Sequence, residues 1–287
     1  VTAGWKPIVA SAIVGVQVGA ALVATRHAVV EAGPIFMAFL RYSIALLCLL
    51  PFALRAMVPI ARRDLVPMLT IGVAQFAVLV ALQNWAMLFI PAARAALIFA
   101  ATPLVTLVVA AAMGRERLTL PKLSGVLVTI LGVALVLGEQ AVAGGGRNEW
   151  VGSITAMCTA VMAALCSLAY RPYLMRYPTL PVSVYALAAS VAFLAVMAGV
   201  EGSLWSPPAM GVTTWGAVVF TGFASGGGYF LWLWALANTT PTRVSVFFSL
   251  GPVTAALLGA VLLAEPVTAM TVAALVAVAL GLWLSHR

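Results

Sequence analysis

Polar side chains inside long apolar stretches are where this chain could do chemistry, because each is costly there unless it meets a partner or a solute. Gln17 and Gln75 sit deepest, and Gln83 and Asn84 lie nearer the end of the stretch that holds Gln75. A carboxamide both donates and accepts, so each can bond the ammonium or carboxylate of an amphipathic solute, or instead tie two helices together. Tyr229 and Trp232 stand three positions apart on one helical face, and Phe248 follows in the next stretch, a set that could form an aromatic slot. Arg94 and Arg243 each open an apolar stretch and could act as a gate, a carboxylate contact or an interfacial anchor. Arg41 lies seven residues into its stretch, about 10 Å along a helix. It is expected to snorkel outward or to pair with Glu31.

Other chemistries lack their parts. Glu31, Glu116, Glu139, Glu149, Glu201 and Glu265 fall at stretch ends and Asp64 precedes one, so no carboxylate stands centrally for a proton relay. Facilitated diffusion or exchange is the simpler expectation for anything moved through such a chain. Lys6 and Lys122 follow no GxxxxG phosphate loop, which argues against an ATP-driven machine. His27 and His286 lie far apart, and Cys48, Cys158 and Cys166 are scattered through apolar runs, so no metal, cofactor or disulfide framework is expected. Without a Ser/His, paired-Asp or metal constellation in the apolar stretches, the chain is not expected to be an enzyme.

The elements that must position these residues are membrane helices. The 287 residues are 64% hydrophobic and 8% charged, where a soluble domain carries roughly a quarter charged. Ten spans are expected, at 7–28, 34–54, 65–84, 91–112, 120–138, 150–170, 181–200, 212–235, 243–263 and 268–285. Each approaches the roughly 20 residues that cross a hydrocarbon core. Barrel strands are excluded because runs such as Val126 to Leu137 show no polar alternation. The first span reads as retained rather than as a cleaved signal. Gly15 with Gly19, and Gly222 with Gly226, leave shallow faces for close helix approach. Gly226, Gly227 and Gly228 are a hinge candidate, and Pro103 and Pro252 could kink their spans.

Sidedness follows from the basic residues. With a cytoplasmic N-terminus, Lys6, Arg55, Arg62, Arg63, Arg115, Arg117, Lys122, Arg171, Arg176, Arg243 and Arg287 face the cytoplasm. Only Arg26, Arg41, Arg94 and Arg147 fall toward the other side, so both termini are expected to be cytoplasmic. The net charge of +8 is thus a topology signal, and no nucleic-acid partner is expected. The expected partners are membrane lipid and a small-molecule substrate, for a monomer or a homodimer.

The chain also repeats itself. At one ungapped offset Trp85 matches Trp234, Arg94 matches Arg243, Pro103 matches Pro252, Glu116 matches Glu265, Thr119 matches Thr268 and Gly132 matches Gly281. Five spans per half make the second copy enter from the opposite face, an inverted repeat suited to alternating access. The units are residues 1–138 and 150–287, joined by an extracytoplasmic linker over 139–149 that contains Gly144, Gly145 and Gly146. The pattern from Pro91 through Arg94, Thr102-Pro103, Gly114, Glu116, Leu118-Thr119, Gly125 and Gly132-Val133 resembles the EamA-type units of the drug/metabolite transporter superfamily. It recurs more loosely from Thr242 to Gly281, with Pro266 after Glu265 as a departure. The resemblance implies an all-α fold of ten transmembrane helices in a bacterial inner membrane and export of small metabolites such as amino acids, aromatic ones included. It also implies a central cavity lined by spans one, three, four, six, eight and nine, with five and ten peripheral.

Overall fold

Backbone in hydrocarbon must satisfy its N–H and C=O groups within its own segment, so the apolar stretches form helices. The computed structural model is all-α and describes residues 5–55, 58–114, 119–142, 146–238, 247 and 250–285. In chain order the helices are α1 (Trp5–Ala32), α2 (Pro34–Leu54), α3 (Arg62–Ala86), α4 (Ala92–Ala112) and α5 (Leu120–Val142). They continue with α6 (Arg147–Leu174), α7 (Thr179–Glu201), α8 (Val212–Asn238), α9 (Leu250–Leu263) and α10 (Ala269–Ser285). Among the described residues seven helices, α1 to α7, are long and apolar enough to cross a membrane, and the chain is a multi-span membrane protein. The stretch 139–149 is largely helical, since α5 runs on through Val142 and α6 opens at Arg147.

Two helices change their winding part-way. In α3, Val73–Val78 form a π-helical turn, and the Gly72 carbonyl at its start accepts from Ser190 Oγ of α7 at 2.9 Å. In α4 the helix breaks at Ala101, between Ala92–Ala100 and Thr102–Ala112. Pro103 has no N–H for the Phe99 carbonyl four residues back, and Thr102 Oγ1 donates to that carbonyl instead at 2.6 Å. Pro252 lies buried in the first turn of α9.

Small residues decide which helices meet. Gly15 and Gly19 of α1 face Phe247, Gly251 and Thr254, which seats α9. Gly222 and Gly226 of α8 lie against Ile44, Ala45 and Cys48 of α2. The α1 helix also packs on α8, α6 packs on α3 and α4, and α7 packs on α2 and α3. Finally, α5 and α10 run along each other, with Gly132 against Ala274, Ala277 and Val278 and Gly281 against Gly125 and Thr129. Their other substantial contacts are with α4.

Candidate functional site

The faces of α8 define the interior. Gly222 and Gly226 turn toward α2, Ala224 and Gly228 toward Gln17 of α1, and Gly216, Phe223, Gly227 and Trp234 are exposed on the far side. At 3.6 residues per turn, the stripe Thr214, Val218, Thr221, Ser225, Tyr229 and Trp232 therefore faces the space between α1 and α2. Thr214, Val218 and Thr221 are 0% exposed, whereas Ser225, Tyr229 and Trp232 are half-buried. The stripe is sealed toward the start of α8 and opens toward its end.

Arg41 reaches this stripe. Its Nε donates to Ser225 Oγ at 2.7 Å, and that hydroxyl donates onward to the Thr221 carbonyl at 2.8 Å. The contacts of Gly222 with Ile44 and of Gly226 with Ala45 and Cys48 set α2 and α8 in register, so Ser225 stands about one helical turn deeper than Arg41. The outward course expected for this side chain is thus corrected: the guanidinium runs inward along α8. The expected alternative pairing also fails, because Glu31 accepts from the Gly211 backbone N–H at 2.8 Å. The Arg41 guanidinium carbon lies 5.6 Å from the centre of the Tyr42 ring, which meets Phe76 of α3 edge-on at 5.7 Å. Among the described residues no carboxylate pairs with Arg41, and a membrane-embedded arginine of that kind is a group retained for function.

Tyr229 and Trp232 continue the same face of α8. Tyr229 OH bonds Ser183 Oγ of α7, and its ring lies 5.8 Å from that of Trp232. Tyr229 shares an apolar cluster with Phe76, Phe99 and Met162, from α3, α4 and α6. Gln75 occupies the π-helical turn of α3, and its Oε1 is buried without a hydrogen-bond partner. Such turns recur at functional sites, and an unsatisfied buried acceptor marks a place where a donor is missing.

The remaining residues singled out from the sequence take other places. Gln17 Nε2 donates to the Ala224 carbonyl and its amide fills the space beside Gly228, so it ties α1 to α8. Asn84 Nδ2 donates to the Pro34 carbonyl at 3.0 Å and ties α3 to the start of α2, while Gln83 is buried beside it in sequence. Gly226 and Gly228 admit neighbouring side chains, whereas a Cβ at Gly227 would meet nothing. Phe248 and Arg243 lie outside the described residues.

Sequence reasoning missed a polar seal at the end of the bundle where α8 starts. The carboxylate of Glu265 accepts from the Ala92 N–H at 3.1 and 3.0 Å and pairs with Arg26 Nε at 3.6 Å. Arg26 also donates to the Met87 carbonyl, Arg94 pairs with Glu149 at 3.1 Å, and Thr268 donates to Glu139 at 3.0 Å. Glu265 is aimed by its neighbour: Ala264 adopts φ 52°, and the Glu265 N–H closes the end of α9 on the Gly259 carbonyl at 3.1 Å. At the opposite end Asp64 accepts from Arg176 at 2.6 Å and Tyr177 OH at 2.8 Å, linking α3 to the α6–α7 turn. Two surface concavities are also present: one gathers Glu31, Glu201, Ser203 and Ser206, and the other is an apolar groove along Trp150, Ile154, Met157 and Val161. Among the described residues no group of three metal-ligating side chains occurs.

Residues 5–138 and 150–287 both match the model of the EamA-like transporter family. The chain belongs to the EamA-like transporter family. Two curated relatives are similar to it. A probable terminal-alkyne amino-acid exporter of Streptantibioticus cattleyicolor is 30% identical over 187 residues, covering 64% of this chain and 60% of the relative. An uncharacterized transporter of Archaeoglobus fulgidus is 28% identical over 273 residues, 94% of each. The EamA-like chain thus matches about 60% of the length of the first relative and nearly all of the second. A solved crystal structure shares its fold with a TM-score of 0.66 at 22% identity, covering 96% of this chain and 95% of that one.

Proposed function

We propose that the protein is a secondary transporter that exports small amphipathic metabolites, amino acids foremost, by alternating access across a bacterial inner membrane. The observation that carries this reading is the interior stripe of α8, polar and aromatic, sealed at one end and half open at the other. In this reading the ten helices are spans of two inverted repeats, residues 1–138 and 150–287, with 139–149 outside the cytoplasm and both termini inside it. The packing supports it, because exchanging each helix with its counterpart five places on maps the largest contacts onto one another. The α1–α8 contact becomes α6–α3, α1–α9 becomes α6–α4, α2–α8 becomes α7–α3, and α2–α7 and α5–α10 return to themselves. The half-open end then faces the cytoplasm, and Glu265 with Arg26 and Arg94 with Glu149 close the outer end. Arg94 acts there as a gate residue, with Arg243 as its inner counterpart. The name given to the Streptantibioticus relative favours amino acids as the class.

In this site Gln75 Oε1 accepts from a solute ammonium, and Tyr229 and Trp232 receive the side chain. The test is counterflow of labelled phenylalanine, leucine and propargylglycine in liposomes without ATP. Gln75→Ala should weaken all three, since a buried polar partner contributes about 1–3 kcal/mol. Tyr229→Ala and Trp232→Ala should penalise phenylalanine more than leucine, by about 0.5–1.5 kcal/mol of ring packing. Equal, small effects of all three substitutions would refute the site, and a wild type that moves no amino acid would refute the substrate class.

A further inference from the structure

Arg41 carries more hydrogen-bonding capacity than the protein uses. A guanidinium holds five N–H donors in a planar fork and stays charged at any physiological pH. One donor, on Nε, is taken by Ser225. The hydroxyl of Ser225 spends its own proton on the Thr221 carbonyl, so it stands as a pure acceptor and fixes the fork's base. Among the described residues no acceptor meets the four donors on the two terminal nitrogens, and no carboxylate lies within ion-pair distance. The side chain is half-buried, so these donors remain accessible. They stand beside Ser225, where the α8 stripe passes from fully to partly buried.

Resting on the transport reading above, we propose that Arg41 is the carboxylate-binding group of the solute site. It takes both oxygens of a solute carboxylate on its outer fork while Ser225 and the Tyr42 ring hold the guanidinium in place. An anchored, planar fork suits a two-oxygen anion in particular, since the two parallel N–H bonds match a carboxylate edge. The ring of Tyr42 supports the cation by its face and is itself held edge-on by Phe76, the residue that follows Gln75. The Tyr42–Phe76 contact thus brings the stretch of α2 that carries Arg41 against the turn of α3 that carries Gln75. The site selects acids over the matching amides, in which a neutral carboxamide replaces the carboxylate, and has no use for amines that lack a carboxylate.

The experiment uses purified full-length protein with matched acid and amide pairs: phenylalanine and phenylalaninamide, leucine and leucinamide, propargylglycine and its amide. Competition is read by counterflow in liposomes, and binding by thermal stabilisation in detergent. Wild type should prefer each acid over its amide by tenfold or more. Arg41→Gln should reduce that preference to within twofold, and Arg41→Lys, which keeps charge without the fork, should retain about threefold. Ser225→Ala leaves the charge in place and loosens its anchor; it should cut the preference several-fold and keeps the test alive if Arg41→Gln fails to fold. A tenfold preference that survives both Arg41→Gln and Ser225→Ala overturns the assignment while leaving transport intact. A wild type that binds the acids but moves none counts against transport and not against Arg41, and one that binds none overturns both. Repeating the assay in phosphatidylcholine alone and with phosphatidylglycerol separates a lipid source of the anion. If Arg41→Gln changes only the dependence on anionic lipid, the solute assignment falls.

Discussion

In the proposed orientation, removing the Glu265 carboxylate should open the outer end of the protein. Its contacts join the link after α9 to the first turn of α4 and to α1, so any motion that separates those elements loses all of them together. In Glu265→Ala the N–H of Ala92, a fully buried residue, is left without a partner, which costs about 1–3 kcal/mol. The ion pair with Arg26 adds about 1 kcal/mol at most, because the two side chains are 26% and 11% exposed and solvent weakens it. A total of about 3 kcal/mol corresponds to roughly a hundredfold rise in the outward-open fraction. Ala95 lies one turn inside Ala92 and is 1% exposed, so a cysteine placed there reports the opening. With Cys48, Cys158 and Cys166 replaced, an impermeant maleimide added to intact cells should label Ala95→Cys about a hundred times faster when Glu265→Ala is also present, since rapid pre-equilibrium opening makes rate follow population. Glu265→Gln, which keeps an acceptor for the Ala92 N–H and removes only the charge, should accelerate labelling only about fivefold. A Glu265→Ala protein of unchanged thermal stability that labels within twofold of its parent would refute the outer seal.

Three further outcomes follow from contacts already described. A Cβ at Gly226 would stand 2.8 Å from Cys48 Cβ, so Gly226→Ala should lower stability by about 1–3 kcal/mol, whereas Gly227→Ala meets open space and should be neutral or raise stability by up to about 1 kcal/mol in thermal unfolding. If Gly227→Ala slows counterflow while the protein is no less stable, the glycine run bends during transport, and an unchanged rate limits it to packing. Asn84→Ala, which removes the side-chain bond to the Pro34 carbonyl, should cost about 0.5–1.5 kcal/mol of stability without altering the order of preference among solutes. For sidedness, Arg147→Cys should label from outside in intact cells and Arg62→Cys should be protected; the reverse pattern would invert the proposed orientation.

Helix positions were legible because the hydrocarbon core admits little else: Val126 to Leu137 holds no charge and a single hydroxyl, Thr129, and lies in the middle of α5. The break in α4 carries its own signal in Pro103, whose missing N–H frees the Phe99 carbonyl. The π-helical turn around Gln75 carries none, since Val73–Val78 holds neither proline nor glycine and its winding accompanies a bond from Ser190 on another helix. Arg41 was legible as a charge within a span and illegible in its direction. The register of α2 on α8 decides that course, through Gly222 against Ile44, and no local pattern encodes it. Glu265 drew notice through its repeat partner Glu116, yet its role depends on a left-handed Ala264 and on an N–H of α4. Gln17 looked like Gln75 from composition alone; a backbone carbonyl on α8 separates them, by satisfying one amide and leaving the other with a free oxygen.

The bond between Arg41 and Ser225 spans 184 residues, and that between Gln17 and Ala224 spans 207. A ribosome adding about 5–20 residues per second therefore delivers α2 to the bilayer roughly 10–40 seconds before the helix that receives its arginine. Until then the guanidinium has neither Ser225 nor the face of α8 to run along, and the nearer route to water is back toward the start of α2. The same side chain should therefore point toward the start of α2 in the nascent chain, whereas it runs along α8 in the finished protein. Insertion of α8 is the event that draws a permanent charge into the bundle, so a chain arrested after α7 should hold Arg41 in water, and the solute site should come into being only near the end of synthesis.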